Sequence, residues 1–137
     1  MNITQTSLDP PHIPVMLNEV IEACSPKNGG NYVDCTFGGC GYTEELLKFE
    51  NTQVIAIDRD PKASERAKKI KRKFSNRFSF YNEKFSNLDL ILKDKGATID
   101  SFIFDLGLST YQLSDFSRGF SFNSQDKIDM NMGLSKI

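Results

Sequence analysis

Three glycines and one acid stand out by their types and their spacing. Gly38, Gly39 and Gly41 lie almost in a row, and Asp58 follows at close to the ~20-residue offset at which an acidic side chain accepts hydrogen bonds from ribose hydroxyls. Glycines let the backbone approach a ligand and present the amides that begin the next helix. A carboxylate here also repels a 2′-phosphate, so a free ribose is favoured. The alternative is that Asp58 only precedes a helix and stabilises its positive end.

The glycine loop does not match the dinucleotide-binding fingerprint G-x-G-x-x-G/A. Read from Gly39, the pattern ends on Glu44 instead of a small residue, and read from Gly38 it has Cys40 in place of the second glycine. Without the final small residue, helix and strand need not approach as closely as in a turn that binds a pyrophosphate. The loop therefore favours an adenosine ligand without a pyrophosphate, and S-adenosylmethionine is the candidate. A nucleotide-dependent oxidoreductase is the alternative.

The elements that position these residues follow from the apolar periodicity. A stripe at helical spacing from Leu17 to Cys24 predicts a first helix. Strands are predicted over 31–36, 53–57, 78–81 and 99–106, and helices over 42–49, from 61 and from 88. Thr43 and Asp60 are the expected N-caps of two of these helices, and the last strand is expected to be buried on both faces. This alternation predicts an α/β fold, a parallel sheet with helices on both sides.

In such a sheet the ligand lies outside the carboxyl ends of the strands, where the strand order reverses. That rule selects four segments of this chain: the loop 37–42, Asp58, the turn 82–85, and residues 105–109 after the last strand. The chain length predicts one domain over 1–137, with a flexible N-terminus over 1–11 and a polar tail over 107–137.

Composition excludes several classes of protein. The 137 residues include 39% hydrophobic and 26% charged residues, as in an ordinary globular domain. No apolar run is long enough for a membrane span and no signal peptide is evident, which predicts a cytoplasmic protein without a membrane partner. Three cysteines without a CxxC pair argue against disulfides, and a single histidine, His12, excludes multi-histidine metal sites. No metal is expected.

A basic run lies between Lys62 and Arg77, where Glu65 is the only acidic residue. The net charge of −1 gives the whole molecule no attraction to nucleic acid, so a polyanion would have to meet a local patch such as this one. Runs of this kind are more often the solvated face of a helix than an RNA contact.

Several residue blocks, in order along the chain, resemble the ribosomal RNA small-subunit methyltransferase H family. They are His12-Ile13-Pro14-Val15, Asp34-Cys35-Thr36-Phe37-Gly38, Asp58-Arg59-Asp60-Pro61, Asp105-Leu106-Gly107-Leu108-Ser109, Gln112-Leu113, Arg118-Gly119-Phe120-Ser121-Phe122 and Asp129-Met130. The family methylates the exocyclic N4 of a cytidine in bacterial 16S rRNA. The resemblance implies the same reaction, a small ribosomal subunit as partner, and the Rossmann-like fold of class I methyltransferases that use S-adenosylmethionine.

The resemblance also implies roles for individual residues. The cofactor-binding residues would be Gly38, Gly39, Cys40, Gly41, Tyr42, Asp58, Phe85, Asp105 and Gln112. Asp58 would bind the ribose and Phe85 the adenine, although from the sequence alone Phe85 is more simply a core residue. Asp105 is also the catalytic candidate, because its carboxylate could orient the target amino group. Substrate candidates are Ser109, Arg118, Phe120 and Phe122. The aromatic rings of Phe120 and Phe122 could equally close the core.

The chain departs from the family pattern in two places and in length. Cys40-Gly41-Tyr42 stands where the family has Gly-Gly-His, and Asn131 replaces an arginine that could bind phosphate. Family members are much longer, with a helical insertion and further strands, so the sheet is expected to be incomplete. An unpaired sheet edge could pair with a second copy as a homodimer. A truncated chain that binds the cofactor without catalysis is therefore the main alternative function.

Overall fold

The computed structural model of the chain describes residues 14–93, 95 and 98–107. The helices are α1 (Leu17–Cys24), α2 (Gly41–Leu47), α3 (Ala63–Phe74) and α4 (Leu88–Leu92), and the strands are β1 (Gly30–Asp34), β2 (Thr52–Ile57), β3 (Phe78–Tyr81) and β4 (Ser101–Ile103). Short 3₁₀ turns cover Pro26–Asn28, Ser75–Arg77 and Phe85–Asn87.

The strands form one parallel sheet in the order β3-β2-β1-β4. The chain steps from β1 to β2 to β3 in one direction and then returns to place β4 on the other side of β1. The strand order thus reverses between β1 and β4. Asp34, the last residue of β1, is in register with Ala56 on one side and with Ile103 on the other. The predicted α/β fold with a parallel sheet is confirmed.

The sheet separates two apolar clusters, because successive residues of a strand face opposite sides. Tyr32, Val54 and Ala56 lie in the larger cluster, which is formed with α1, α2 and α3. Val33 and Ile57 lie in the smaller cluster, which is formed with α4. Helices therefore cover both faces, as the alternating pattern predicts.

Three local predictions are wrong. Thr43 is not an N-cap: α2 begins at Gly41 after Cys40, and the Thr43 hydroxyl donates to the Asp34 carboxylate instead. α3 begins at Ala63 with Lys62 in the N-cap position, and Asp60 lies two residues before that position, where its side chain accepts the Lys62 N–H. The last strand is only three residues long, and its central Phe102 is 45% exposed because none of the described elements covers that part of its face.

Within the described ranges, no helix is both long enough and apolar enough to cross a bilayer.

Candidate functional site

A cavity of about 280 Å³ opens at the carboxyl ends of the strands. Its walls come from the segments that follow all four strands, together with Pro14 ahead of α1: residues 35–39, 41 and 42 after β1, 58 and 59 after β2, 83–86 after β3, and 105–107 after β4. It lies beside the point where the strand order reverses, as expected for a ligand site in this class of sheet. The volume is close to the lower end of the ~300–1,000 Å³ range of small-molecule sites.

Asp58 connects the glycine loop to the turn before α3. Its Oδ2 accepts the Gly38 N–H at 2.6 Å and its Oδ1 accepts the Asp60 N–H at 2.8 Å. The side chain is 8% exposed, and burial raises its pKa although these two amide bonds oppose the shift. A carboxylate oxygen has two lone pairs, so each oxygen can accept one further hydrogen bond from a ligand in the cavity.

The loop itself is held in a compact, partly left-handed conformation. Gly38 has φ +46° and Cys40 has φ +65°, a region that a side chain with a Cβ adopts rarely. The Cys40 thiol lies outside the cavity lining, 3.5 Å from the Glu44 carboxylate, and burial with that carboxylate raises its pKa to about 12. A Cβ on Gly41 would come within 2.1 Å of the Pro14 side chain, so only glycine fits there.

Tyr42 and Asp105 meet on the opposite wall. The Tyr42 hydroxyl donates to the Val15 carbonyl at 2.6 Å and lies 3.3 Å from Asp105 Oδ2. Burial and the Asp105 carboxylate raise the pKa of Tyr42 to about 12, so the hydroxyl stays protonated at neutral pH. The Asp105 N–H donates to Thr36 Oγ1 at 2.6 Å, which fixes the backbone after β4 against the loop after β1.

Phe85 is exposed at the rim of the cavity and is not a core residue. The ring is 43% exposed and packs edge-to-face against Phe104, with 5.5 Å between the ring centroids. An exposed aromatic ring beside a cavity offers apolar area at little ordering cost.

Two residues beneath and beside this cavity are not among the candidates predicted from the sequence. Asp34 is fully buried and accepts hydrogen bonds from the Thr43 hydroxyl at 2.8 Å and the Thr36 N–H at 3.3 Å. Arg66, which the basic run concealed, donates from Nε to the Gly38 carbonyl at 2.7 Å. An acid directly after Tyr32 and Val33, at the carboxyl end of the first strand, was the available signal for Asp34.

Seven of the candidate residues line this same cavity: Gly38, Gly39, Gly41, Tyr42, Asp58, Phe85 and Asp105. Gln112, Ser109, Arg118, Phe120 and Phe122 lie outside the described residues, as do His12 and Asn131. No group of histidine, cysteine and acidic side chains that could hold a metal ion occurs in the part of the chain that the structure describes.

The fold defines an α/β protein of the Rossmann-like class, and the glycine loop, Asp58 and Asp105 line its cavity. Residues 9–136 match the model of the MraW methylase family, and because the match covers nearly the whole chain, the protein belongs to that family. The resemblance found in the sequence is confirmed.

Known relatives carry the name ribosomal RNA small subunit methyltransferase H. The chain is 45% identical over 127 residues to the protein of that name from Rickettsia massiliae (strain Mtu5), covering 90% of this chain and 41% of the relative. It is 40% identical over 124 residues to the one from Parvibaculum lavamentivorans, covering 90% and 37%. It is 42% identical over 125 residues to the one from Ehrlichia ruminantium (strain Gardel), covering 90% and 42%. The chain thus spans about two-fifths of their length.

Proposed function

We propose that this chain forms the part of a methyltransferase that binds the methyl donor, S-adenosylmethionine. The methyltransferase acts on the exocyclic N4 of a cytidine in 16S rRNA. The observation that carries the proposal is the meeting of the glycine loop, Asp58 and Asp105 around one cavity in a member of a methylase family. The names of the relatives support rRNA of the small subunit as the substrate.

The residues around the cavity fit an adenosyl sulfonium. Asp58 keeps one free acceptor site on each carboxylate oxygen, which suits the two hydroxyls of a ribose. Phe85 offers a ring face for adenine, and Asp105 supplies a second carboxylate near which a positive charge is favourable. The Cys40 side chain, which could have obstructed the loop, lies outside the lining.

S-adenosylmethionine supplies a methyl group that is already activated for transfer. The protein must therefore mainly bring the attacking nitrogen into line with the methyl carbon. Asp105 would accept a hydrogen bond from the cytosine amino group and so orient it. The Tyr42 hydroxyl has one proton, so it would fix the Asp105 carboxylate by turning that proton from the Val15 carbonyl to Asp105 Oδ2. The assignment of rRNA contacts to Ser109, Arg118, Phe120 and Phe122 stays a prediction.

A donor-binding unit without catalytic activity is the second candidate, because the cavity with the glycine loop and Asp58 supports binding of the donor and does not by itself require transfer of the methyl group. Both candidates require donor binding, so the first experiment is calorimetric titration of the full chain with S-adenosylmethionine, with NAD as control. The second incubates the chain and methyl-labelled donor with small ribosomal subunits that lack the modification.

Binding with label transfer to a 16S cytidine supports the enzyme, whereas binding without transfer supports the donor-binding unit. Binding of NAD instead would support the oxidoreductase, and binding of neither ligand would refute the proposal.

A further inference from the structure

Asp34 is a fully buried carboxylate that the proposed reaction does not use. Its side chain is 0% exposed and does not line the cavity, although the next two residues of the chain, Cys35 and Thr36, do. A buried carboxylate is costly unless its charge is compensated, because the interior solvates ions poorly. In the described part of the chain its bonds come from the Thr43 hydroxyl and the Thr36 amide, and neither donor is charged.

The two threonines connect Asp34 to the walls of the cavity. Thr43 lies in the first turn of α2, next to Tyr42, and Thr36 lies in the loop after β1. Thr36 Oγ1 also accepts the Asp105 N–H at 2.6 Å. One carboxylate therefore joins the start of α2, the loop after β1 and the end of β4.

The electrostatic surroundings of Asp34 contain two more carboxylates. Burial is the largest cause that raises the pKa of Asp34, and the carboxylates of Asp58 after β2 and Asp105 after β4 raise it further. The hydrogen bonds from Thr43 and Thr36 lower it, and the resulting pKa is about 7. Asp34 also interacts with four neutral titratable groups. They are the thiols of Cys24 on α1 and of Cys35 and Cys40 in the loop, and the phenol of Tyr42 on α2. Within the described residues, no cation is among the causes that shift the pKa of Asp34, and Arg66 acts on Asp58 and Cys40.

We propose that Asp34 is a specificity-determining residue of the donor site. Without touching the ligand, it holds the cavity walls through Thr36 and Thr43. It also places a buried negative charge beneath those walls, and this charge favours a cationic methyl donor over its neutral demethylated product. This inference rests on the proposed function. S-adenosylmethionine has one positive charge more than S-adenosylhomocysteine, at the sulfur. A cation in the cavity stabilises the ionised carboxylate, so donor binding releases a proton near neutral pH.

Asp34→Asn tests the charge with little disturbance of the fold. The amide oxygen can accept the Thr36 N–H, and the amide nitrogen can donate to Thr43 Oγ1, since a hydroxyl serves as either donor or acceptor. Calorimetric titration of the full chain with both ligands at pH 6, 7 and 8, in two buffers of different ionisation enthalpy, measures affinity and proton release. The ratio of the two affinities cancels the titration of the amino group that the ligands share.

In the unaltered chain we expect the preference for S-adenosylmethionine to rise by up to about tenfold from pH 6 to pH 8, because Asp34 titrates near pH 7. About half a proton should be released at pH 7. Asp34→Asn should keep the weaker preference of pH 6 at every pH and release no such proton. A preference that is flat with pH in the unaltered chain, or one that still rises in Asp34→Asn, would overturn the inference.

A second pair of variants keeps the test decisive if Asp34→Asn does not fold. Thr43→Val removes the hydroxyl that stabilises the ionised carboxylate, so the rise in preference should move to higher pH, and Thr43→Ser should restore it. An unmoved rise in Thr43→Val would count against the inference. Failure of the unaltered chain to bind S-adenosylmethionine at any pH would overturn the proposed function itself, and this inference with it.

Discussion

Replacing Asp58 by asparagine tests the part of the site on which the loop and the ligand both depend. The two carboxylate oxygens accept amide N–H groups from opposite sides, Gly38 at 2.6 Å and Asp60 at 2.8 Å. An asparagine has one acceptor oxygen and one NH₂ group, so it can satisfy only one of these amides and must point a donor at the other.

The lost bond to a charged acceptor costs about 1.5–3 kcal/mol of folding free energy. At roughly 4 °C per kcal/mol for a chain of this size, the melting temperature should fall by about 6–12 °C. If the carboxylate also binds ribose hydroxyls, its loss should remove about 3 kcal/mol of binding free energy, or roughly 100-fold in the Kd of S-adenosylmethionine. Thermal unfolding and calorimetric titration of the same preparation measure both effects.

Asp60→Asn is the matched control, because Asp60 is an equally buried acid two residues away whose side chain accepts the Lys62 N–H and does not line the cavity. It should lower the melting temperature but leave the Kd within about threefold of the unaltered chain. The reasoning is refuted if Asp58→Asn melts as the unaltered chain does, or if it loses stability but binds the donor no more weakly than Asp60→Asn.

Three further predictions concern stability. Arg77→Ala should lower the free energy of unfolding by about 2–3 kcal/mol, because this guanidinium donates to three backbone carbonyls. Arg72→Ala, on the exposed side of α3, should change it by less than about 0.5 kcal/mol. Equal effects of the two variants in urea titrations would contradict the assignment. Gly41→Ala should destabilise the chain by about 1–3 kcal/mol and weaken donor binding, since its Cβ would overlap the Pro14 ring; unchanged melting would contradict the tight approach. The raised pKa of Asp34, about 7 against an ordinary 3.8, means that the native state binds a proton more tightly than the unfolded chain, so stability without ligand should fall as pH rises from 4 to 7. Asp34→Asn should weaken that dependence and leave the contribution of Asp58, whose pKa burial also raises; an unchanged slope in the variant would contradict the assignment to Asp34.

The basic run shows how one sequence pattern covers several different roles. From the sequence, the cations between 62 and 77 form a single charged face. In the structure, Lys71 donates to the Phe78 carbonyl, Arg66 to the Gly38 carbonyl and Arg77 to three carbonyls at the end of α2 and the start of β2. These three side chains fix loops and strand ends, and the solvated-face interpretation holds only for their neighbours. Charge and helical spacing alone do not reveal which carbonyl a long side chain can reach.

The N-terminus of α2 illustrates a similar limit. Thr43 lies two residues after the last glycine of the loop and is a residue type favoured at N-caps, and the neighbouring sequence offers no competing partner for its hydroxyl. The partner is Asp34, nine positions earlier, which the parallel sheet places directly beneath the helix. Side-chain hydrogen bonds of this kind depend on tertiary distance, so residue preferences near helix ends cannot predict them.

By itself, the sequence determined the order of elements, the parallel sheet and the edge at which the cavity lies. These properties follow from local rules: apolar periodicity distinguishes strands from helices, and a helix between successive strands makes the strands parallel, so that their carboxyl ends lie at one edge. Only the tertiary structure decided that Asp58 and Asp105 face the same cavity, that Cys40 turns away from it, and that Asp34 lies beneath it. Those outcomes depend on packing between segments far apart in the chain, where a difference of a few ångströms decides whether two groups meet.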